Sequence, residues 1–161
     1  RKQIAQAAAD GVSLYAMSLG DLTWDEYWYK NSYQPSHYRR QMADLDIPIY
    51  NIPGNHDNER FVDPEIPDAL WDSIAQRPYR QIIGPNYYSF NLGKVHFVML
   101  DNIIVRKGAL KNSRRPSRND YQLDERQLRW LGRDLETIGS GTPLVVCMRR
   151  CPATTRSPWE R

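Results

Sequence analysis

Two short stretches hold the residues best suited to chemistry. Gly20-Asp21 closes one apolar run, and Gly54-Asn55-His56-Asp57 closes another. A carboxylate such as that of Asp21 can bridge two divalent cations. The amide oxygen of Asn55 is a neutral hard ligand, suited to Mn, Mg or Fe(II) and acceptable to Zn. Two metals about 3.5–4 Å apart clamp both the attacking and the leaving oxygens of an in-line phosphoryl displacement. His56 can donate a proton to a leaving group or stabilise the charge that develops there. Asp57 can orient His56 or accept its second N–H. Asp25 can hydrogen-bond near the same place, or stand as a solvated loop carboxylate. Gly20 and Gly54 permit the sharp turns that would aim these groups. The plainer alternatives are a polar turn at 54–57 whose His caps something local, and a turn or helix-capping carboxylate at Asp21.

Three helix–strand units position these residues. The first helix is expected over Arg1–Ala9, with Ile4, Ala5, Ala8 and Ala9 as its apolar face and Asp10-Gly11 as its stop. The strand Val12–Leu19 follows, mostly apolar as suits a strand buried on both faces. The second helix, His37–Leu45, takes Ser36 as N-cap and leads into the strand Ile47–Ile52. The third begins after Asp124, which has capping-box spacing to Gln127. Leu128, Leu131, Leu135 and Ile138 share its face, and the strand Leu144–Met148 comes next. Tyr87–Asn91 and Val95–Leu100 read as a hairpin about Leu92-Gly93-Lys94, and a short helix is expected near Pro67–Ala75. The fold class is α/β, or α+β layered: a mixed β-sheet sandwich flanked by helices. In open sheets of this kind sites form outside the carboxyl ends of strands, and two strands here aim Asp21 and Asn55-His56-Asp57 at one rim.

Length and charge bound the rest. The 161 residues suffice for one domain with a core, and no apolar run is long enough to span a membrane. The first residue is Arg1, so a natural start is expected upstream, and no compartment is legible. Cys147 and Cys151 form neither a disulfide framework nor a Cys-x-x-Cys pair. The net charge of +3 sits in residues 149–161, which hold four Arg and one Glu; the rest is balanced. The basic pI is therefore weak evidence for a nucleic-acid surface. The segment 106–118 (Arg106, Lys107, Lys111, Arg114, Arg115, Arg118) is expected as a solvated loop, with attraction of a polyanion as its functional alternative. Trp24, Tyr27, Trp28, Tyr29 and Tyr33 either line a cleft or pack a crossover. His37 reads as a surface residue, His96 as a structural histidine, and Asp101-Asn102 as a turn that can also support the site from behind.

Taken in order, Gly20-Asp21-Leu22-Thr23-Trp24-Asp25, Gly54-Asn55-His56-Asp57, the strand pair 86–101 and the helix 127–135 resemble the calcineurin-like metallophosphoesterase superfamily over residues 1–148. The resemblance implies a double-layered sheet and a two-metal site (Mn, Fe, Zn or Mg), with Asp21 as bridging ligand and Asn55 as ligand of one metal. It makes His56 the catalytic histidine beside the leaving group, with Asp57 and Asp25 supporting from behind. It further implies hydrolysis of phosphate esters, with metal-bound hydroxide as nucleophile and nucleic acid only as one possible substrate. The sequence departs from that pattern in three places. The family's first motif would precede Arg1, Arg149 stands where the family has a His, and the distal Gly-His-x-His motif is missing. Trp24 replaces the iron-binding Tyr of the purple acid phosphatase branch, which sets that branch aside. Residues 149–161 read as an atypical basic tail outside the fold, as after a shifted reading frame or a fragment junction. Two further readings stand beside hydrolysis. One is a non-catalytic fragment that binds metal poorly; the other is a nucleic-acid-binding module using the 106–118 segment.

Overall fold

A computed structural model describes residues 1–23, 33–59, 61–108 and 117–150. The chain is α+β. In order, the described elements are α1 (Lys2–Ala9), β1 (Ala16–Ser18), α2 (Pro35–Ala43), β2 (Ile49–Asn51), α3 (Asp68–Ala75), α4 (Arg77–Ile82), β3 (Tyr88–Leu92), β4 (Val95–Met99), β5 (Ile103–Lys107), β6 (Ser117–Tyr121), α5 (Glu125–Leu135) and β7 (Leu144–Cys147). They form three small sheets. β1 pairs with β2 in parallel, β3-β4-β7 is mixed, and β5 pairs antiparallel with β6. No described helix is long and apolar enough to cross a membrane.

The three helix–strand units appear in the expected order, with local corrections. The strand expected over Val12–Leu19 shortens to Ala16–Ser18, and it is not buried on both faces. Val12, Leu14, Tyr15 and Leu19 are exposed, because β1 has β2 as its one partner among the described residues. Helix α2 starts before Ser36. Pro35 takes its first turn, where a missing N–H costs nothing, and Gln34 caps with the His37 side chain closing a capping box. His37 Nδ1 accepts the Gln34 N–H at 3.1 Å, so this histidine has a capping role that the surface reading missed. In α5, Asp124 caps as expected, accepting the Gln127 N–H at 2.6 Å. Its inward stripe is shifted, however. Gln127 is buried and Leu128 is 49% exposed, because both polar atoms of the Gln127 amide bind the Asp101 backbone.

The 106–118 segment departs further from expectation. Arg106, Lys107 and Arg118 are strand residues in a hairpin, not loop residues, with Arg106 opposite Arg118 and Lys107 opposite Ser117. Buried Ile103 and Val105 drive the pairing, and α3 packs against β5 through Trp71, Ala75, Val62 and Val105. The charges are already engaged. Arg106 and Arg118 both meet Asp120, and Lys107 lies over the Trp71 ring at 5.4 Å. Lys111, Arg114 and Arg115 lie outside the described residues, as do Trp24, Asp25, Tyr27, Trp28, Tyr29 and 151–161.

Aromatic rings join the small sheets. Tyr50 of β2 stacks on Phe90 of β3 at 3.8 Å, and Phe90 stacks on Phe97 of β4 at 5.3 Å. Tyr15 meets both Tyr50 and Phe97 edge-on. Asn51 of β2 is tied in as well, since its N–H donates to the Tyr88 hydroxyl, which in turn donates to the Asn51 carbonyl. His96 is the structural histidine expected. It is buried on β4 between the side-chain oxygens of Asn91 and Asp134, at 2.7 and 2.9 Å.

Behind this frame lies a polar knot on Asp101. Its carboxylate accepts from Gln76, Asn86 and the Ile103 N–H, each at 2.9–3.0 Å. Burial pushes this carboxyl up to about 7 from 3.8, and Asp72 adds in the same direction, while the three donors pull it back. An unfolded Asp ionises near 3.8, so between pH 4 and 7 the folded state holds the extra proton, and stability falls as pH rises through that window. Melting temperature should therefore drop by about 5 °C or more from pH 4.5 to pH 7.5, and the drop should shrink in Asp101→Asn. An identical slope in the two proteins would assign the pH dependence elsewhere.

Candidate functional site

The rim named by the sequence is assembled by two strand ends meeting backbone to backbone. After β1, Gly20 adopts φ +94° and Asp21 φ +55°. Asp21 is the one non-glycine among the described residues with positive φ, a conformation that costs an L-residue about 1 kcal/mol or more. It is held there by β2's own ending. A Cβ on Gly20 would sit 2.5 Å from the Gly54 Cα, and a Cβ on Gly54 would overlap the Asp21 backbone nitrogen and carboxylate. Both glycines are therefore required for the close approach of the two strand ends, not merely for flexibility.

Asp57 locks that contact. It is 1% exposed, and its Oδ1 accepts from the Thr23 N–H at 2.8 Å and the Thr23 hydroxyl at 2.9 Å. Its Oδ2 accepts the Gly54 N–H at 2.7 Å. The Thr23 hydroxyl also reaches the His56 carbonyl at 3.1 Å. Burial raises the Asp57 carboxyl above its ordinary value, against the pull of the donors from Gly54, Leu22 and Thr23. Asp57 was expected to orient the His56 imidazole. The bonds it makes are to backbone and to Thr23, so its work is to fix the loop that carries His56. Thr23, two residues past Asp21, was overlooked because a lone Thr in a polar turn has no periodic or motif signal.

Asp21, Asn55 and His56 are half-buried on the resulting rim. The backbone N–H of His56 donates to Asp21 Oδ1 at 3.3 Å, so the bridging-ligand candidate touches the turn that carries the catalytic candidate. The other carboxylate oxygen, Asp21 Oδ2, accepts from the Arg149 guanidinium. Arg149 stands two residues after β7, at the position where the resemblance would place a histidine. Its neighbour Arg150 is also docked: the carbonyl accepts from buried Asn102, and the guanidinium lies over Tyr121 at 5.0 Å. Asp25 lies outside the described residues.

The described donors do not by themselves make a site for a pair of metal ions. No group of three His, Cys, Asp or Glu side chains among the described residues is disposed to hold one. Asp21 and Asn55 are two donors, and the former is already paired with a cation. No protein-family model matches the chain, and no curated protein matches it either.

Replacement of Gly54 by Ala forces Asp21 and the strand ends apart. The expected loss is about 3 kcal/mol or more of stability in denaturant unfolding, at the upper end of overpacking penalties. Gly139→Ala serves as control: a Cβ there meets only the Thr142 hydroxyl, at 3.8 Å, so it should cost less than a third as much. Equal costs would remove the close approach from the account.

Proposed function

We propose that this chain carries the phosphate-ester rim of a metallophosphoesterase-type hydrolase, a domain of layered mixed sheet and flanking helices. One observation supports the reading most directly: Gly20 and Gly54 meet in backbone contact, so that Asp21 and Asn55-His56 share one rim at the ends of two parallel strands. Phosphoryl transfer demands positioning and charge compensation more than covalent chemistry from the protein. On this reading His56 protonates or polarises the leaving oxygen, Asn55 offers a neutral oxygen to the site, and Asp57 with Thr23 holds both in register. The divalent ions of such hydrolases (Mn, Fe, Zn or Mg) would activate water there. The donors described in this chain do not make a complete cradle for them.

The Arg149–Asp21 ion pair favours a second reading: a non-catalytic relative that keeps the rim and binds metal poorly. The nucleic-acid-binding alternative draws little support from Arg106, Lys107 and Arg118: the two arginines share Asp120 within the hairpin, and Lys107 is engaged by Asp68 and the Trp71 ring.

Metal content after purification with Mn, together with hydrolysis of an aryl phosphate, separates the two readings. An active hydrolase should carry stoichiometric metal and lose turnover at least a hundredfold on His56→Ala, in the range general acid catalysis commands, and should lose metal on Asn55→Ala. Absence of both metal and turnover, with a folded chain, assigns the second reading.

A further inference from the structure

We propose that Arg149 is the resident cation of this rim, and that the rim takes up a phosphate group without a divalent ion. The inference rests on the second reading above and adds the ligand and the residue that holds it.

Both oxygens of the Asp21 carboxylate are in use. Oδ1 takes the His56 N–H, and Oδ2 takes the Arg149 guanidinium. A carboxylate so engaged already has a cation at Oδ2, which a bridging metal would have to displace or share the oxygen with. Arg149, moreover, is not a tail that wanders onto the rim. Strand β7 pairs with β4 up to Met99 opposite Cys147, and the Leu100 N–H donates to the Cys147 carbonyl at 2.8 Å. Two residues further on, Asn102 holds the Arg150 carbonyl, and Tyr121 holds the Arg150 side chain. Arg149 is thus fastened on both sides by contacts of its own strand and its neighbour, with its guanidinium directed at Asp21.

A guanidinium carries five N–H groups on three nitrogens about a central carbon, and one carboxylate oxygen does not use them all. The Arg149 side chain is 35% exposed, so its pairing with Asp21 does not seal it from solvent, and that same Asp21 carboxylate touches the turn that carries Asn55 and His56. A fork of this geometry matches the oxygens of a phosphate group and, unlike a metal, needs no further protein ligands. Asp21 then has a different task from metal bridging: it orients the guanidinium and weakens its hold on the anion by its own charge.

That last point gives a sign that separates the two chemistries. Titration of the full chain with inorganic phosphate in EDTA, read by calorimetry, should show binding. Arg149→Gln should weaken it at least tenfold, and Asp21→Asn should leave it as tight or tighter, because the repelling charge is gone. Should Arg149→Gln fail to fold by circular dichroism, Arg149→Lys keeps the charge, loses the fork, and should still weaken binding. Phosphate binding that appears only with Mn and vanishes in Asp21→Asn would overturn the inference while leaving the phosphate-ester rim intact. No phosphate binding by the wild-type chain, with or without Mn, would overturn the inference and the rim reading together. Binding unchanged in both Arg149 variants would overturn the inference alone.

Discussion

Everything at the rim depends on a backbone contact between two glycines, held shut by one buried carboxylate. Gly20 and Gly54 approach so closely that neither tolerates a Cβ, and Asp57 bonds to both sides of the contact through Thr23 and Gly54. A buried carboxylate is costly to desolvate, and the donors that surround Asp57 offset that cost only while the two strand ends are together. Contact and carboxylate therefore stabilise each other. The positive φ of Asp21 belongs to the same device, because a strained residue persists where its surroundings over-determine it.

The rim is seated on the rest of the chain by two different kinds of packing. The aromatic file Tyr50–Phe90–Phe97 lays β2 against the β3-β4 hairpin, which fixes where the 54–57 turn emerges. The Asp101 knot acts at the other end of β4. Gln127 binds the Asp101 backbone from α5, and Gln76 binds its carboxylate from the junction of α3 and α4. Directly after Asp101, Asn102 reaches the Arg150 carbonyl. The end of β4 thus sets where the chain beyond β7 lies, and through it the place of Arg149 opposite Asp21. Removing water from a knot with this many amide groups specifies one arrangement more sharply than apolar packing would.

How much of this was legible in the sequence follows from the range of the forces involved. Helices α1, α3 and α5, the β3-β4 hairpin and the α–β alternation were readable, because local periodicity and turn residues encode them. The rim was readable too, since Gly20-Asp21 and Gly54-Asn55-His56-Asp57 each follow an apolar run. What was not readable depends on long-range partners. The charge-rich stretch at 106 and 118 reads as loop until Ile103 and Val105 are seen to need α3. Leu128 looks like core until Gln127 is seen to be claimed by Asp101. The open sides of β1 could not be inferred from its apolar composition, because composition reports what a strand can bury and not which neighbours are there to bury it. Asp57 reads from the sequence as a partner of His56, whereas its carboxylate binds Thr23 and the Gly54 N–H, which no spacing rule links to it.

The same distinction bears on the charge at the rim. Among the described residues, the donors named by the sequence are one carboxylate, Asp21, and one neutral amide, Asn55. Asp57 is committed to Thr23 and Gly54 and faces away from this task. A single negative charge is balanced by a single guanidinium. Two divalent ions on those two donors alone would carry an excess of positive charge, partly removed from water. A guanidinium also satisfies its geometry through hydrogen bonds, which a rim built of backbone and half-buried side chains can supply. A metal requires several lone pairs converging on one point, and no such convergence is present among the described residues. Charge balance and donor geometry are thus both consistent with the guanidinium that Asp21 meets. The residue that breaks the family-like pattern at 149 is, on physical grounds, the one that the remaining donors can accommodate.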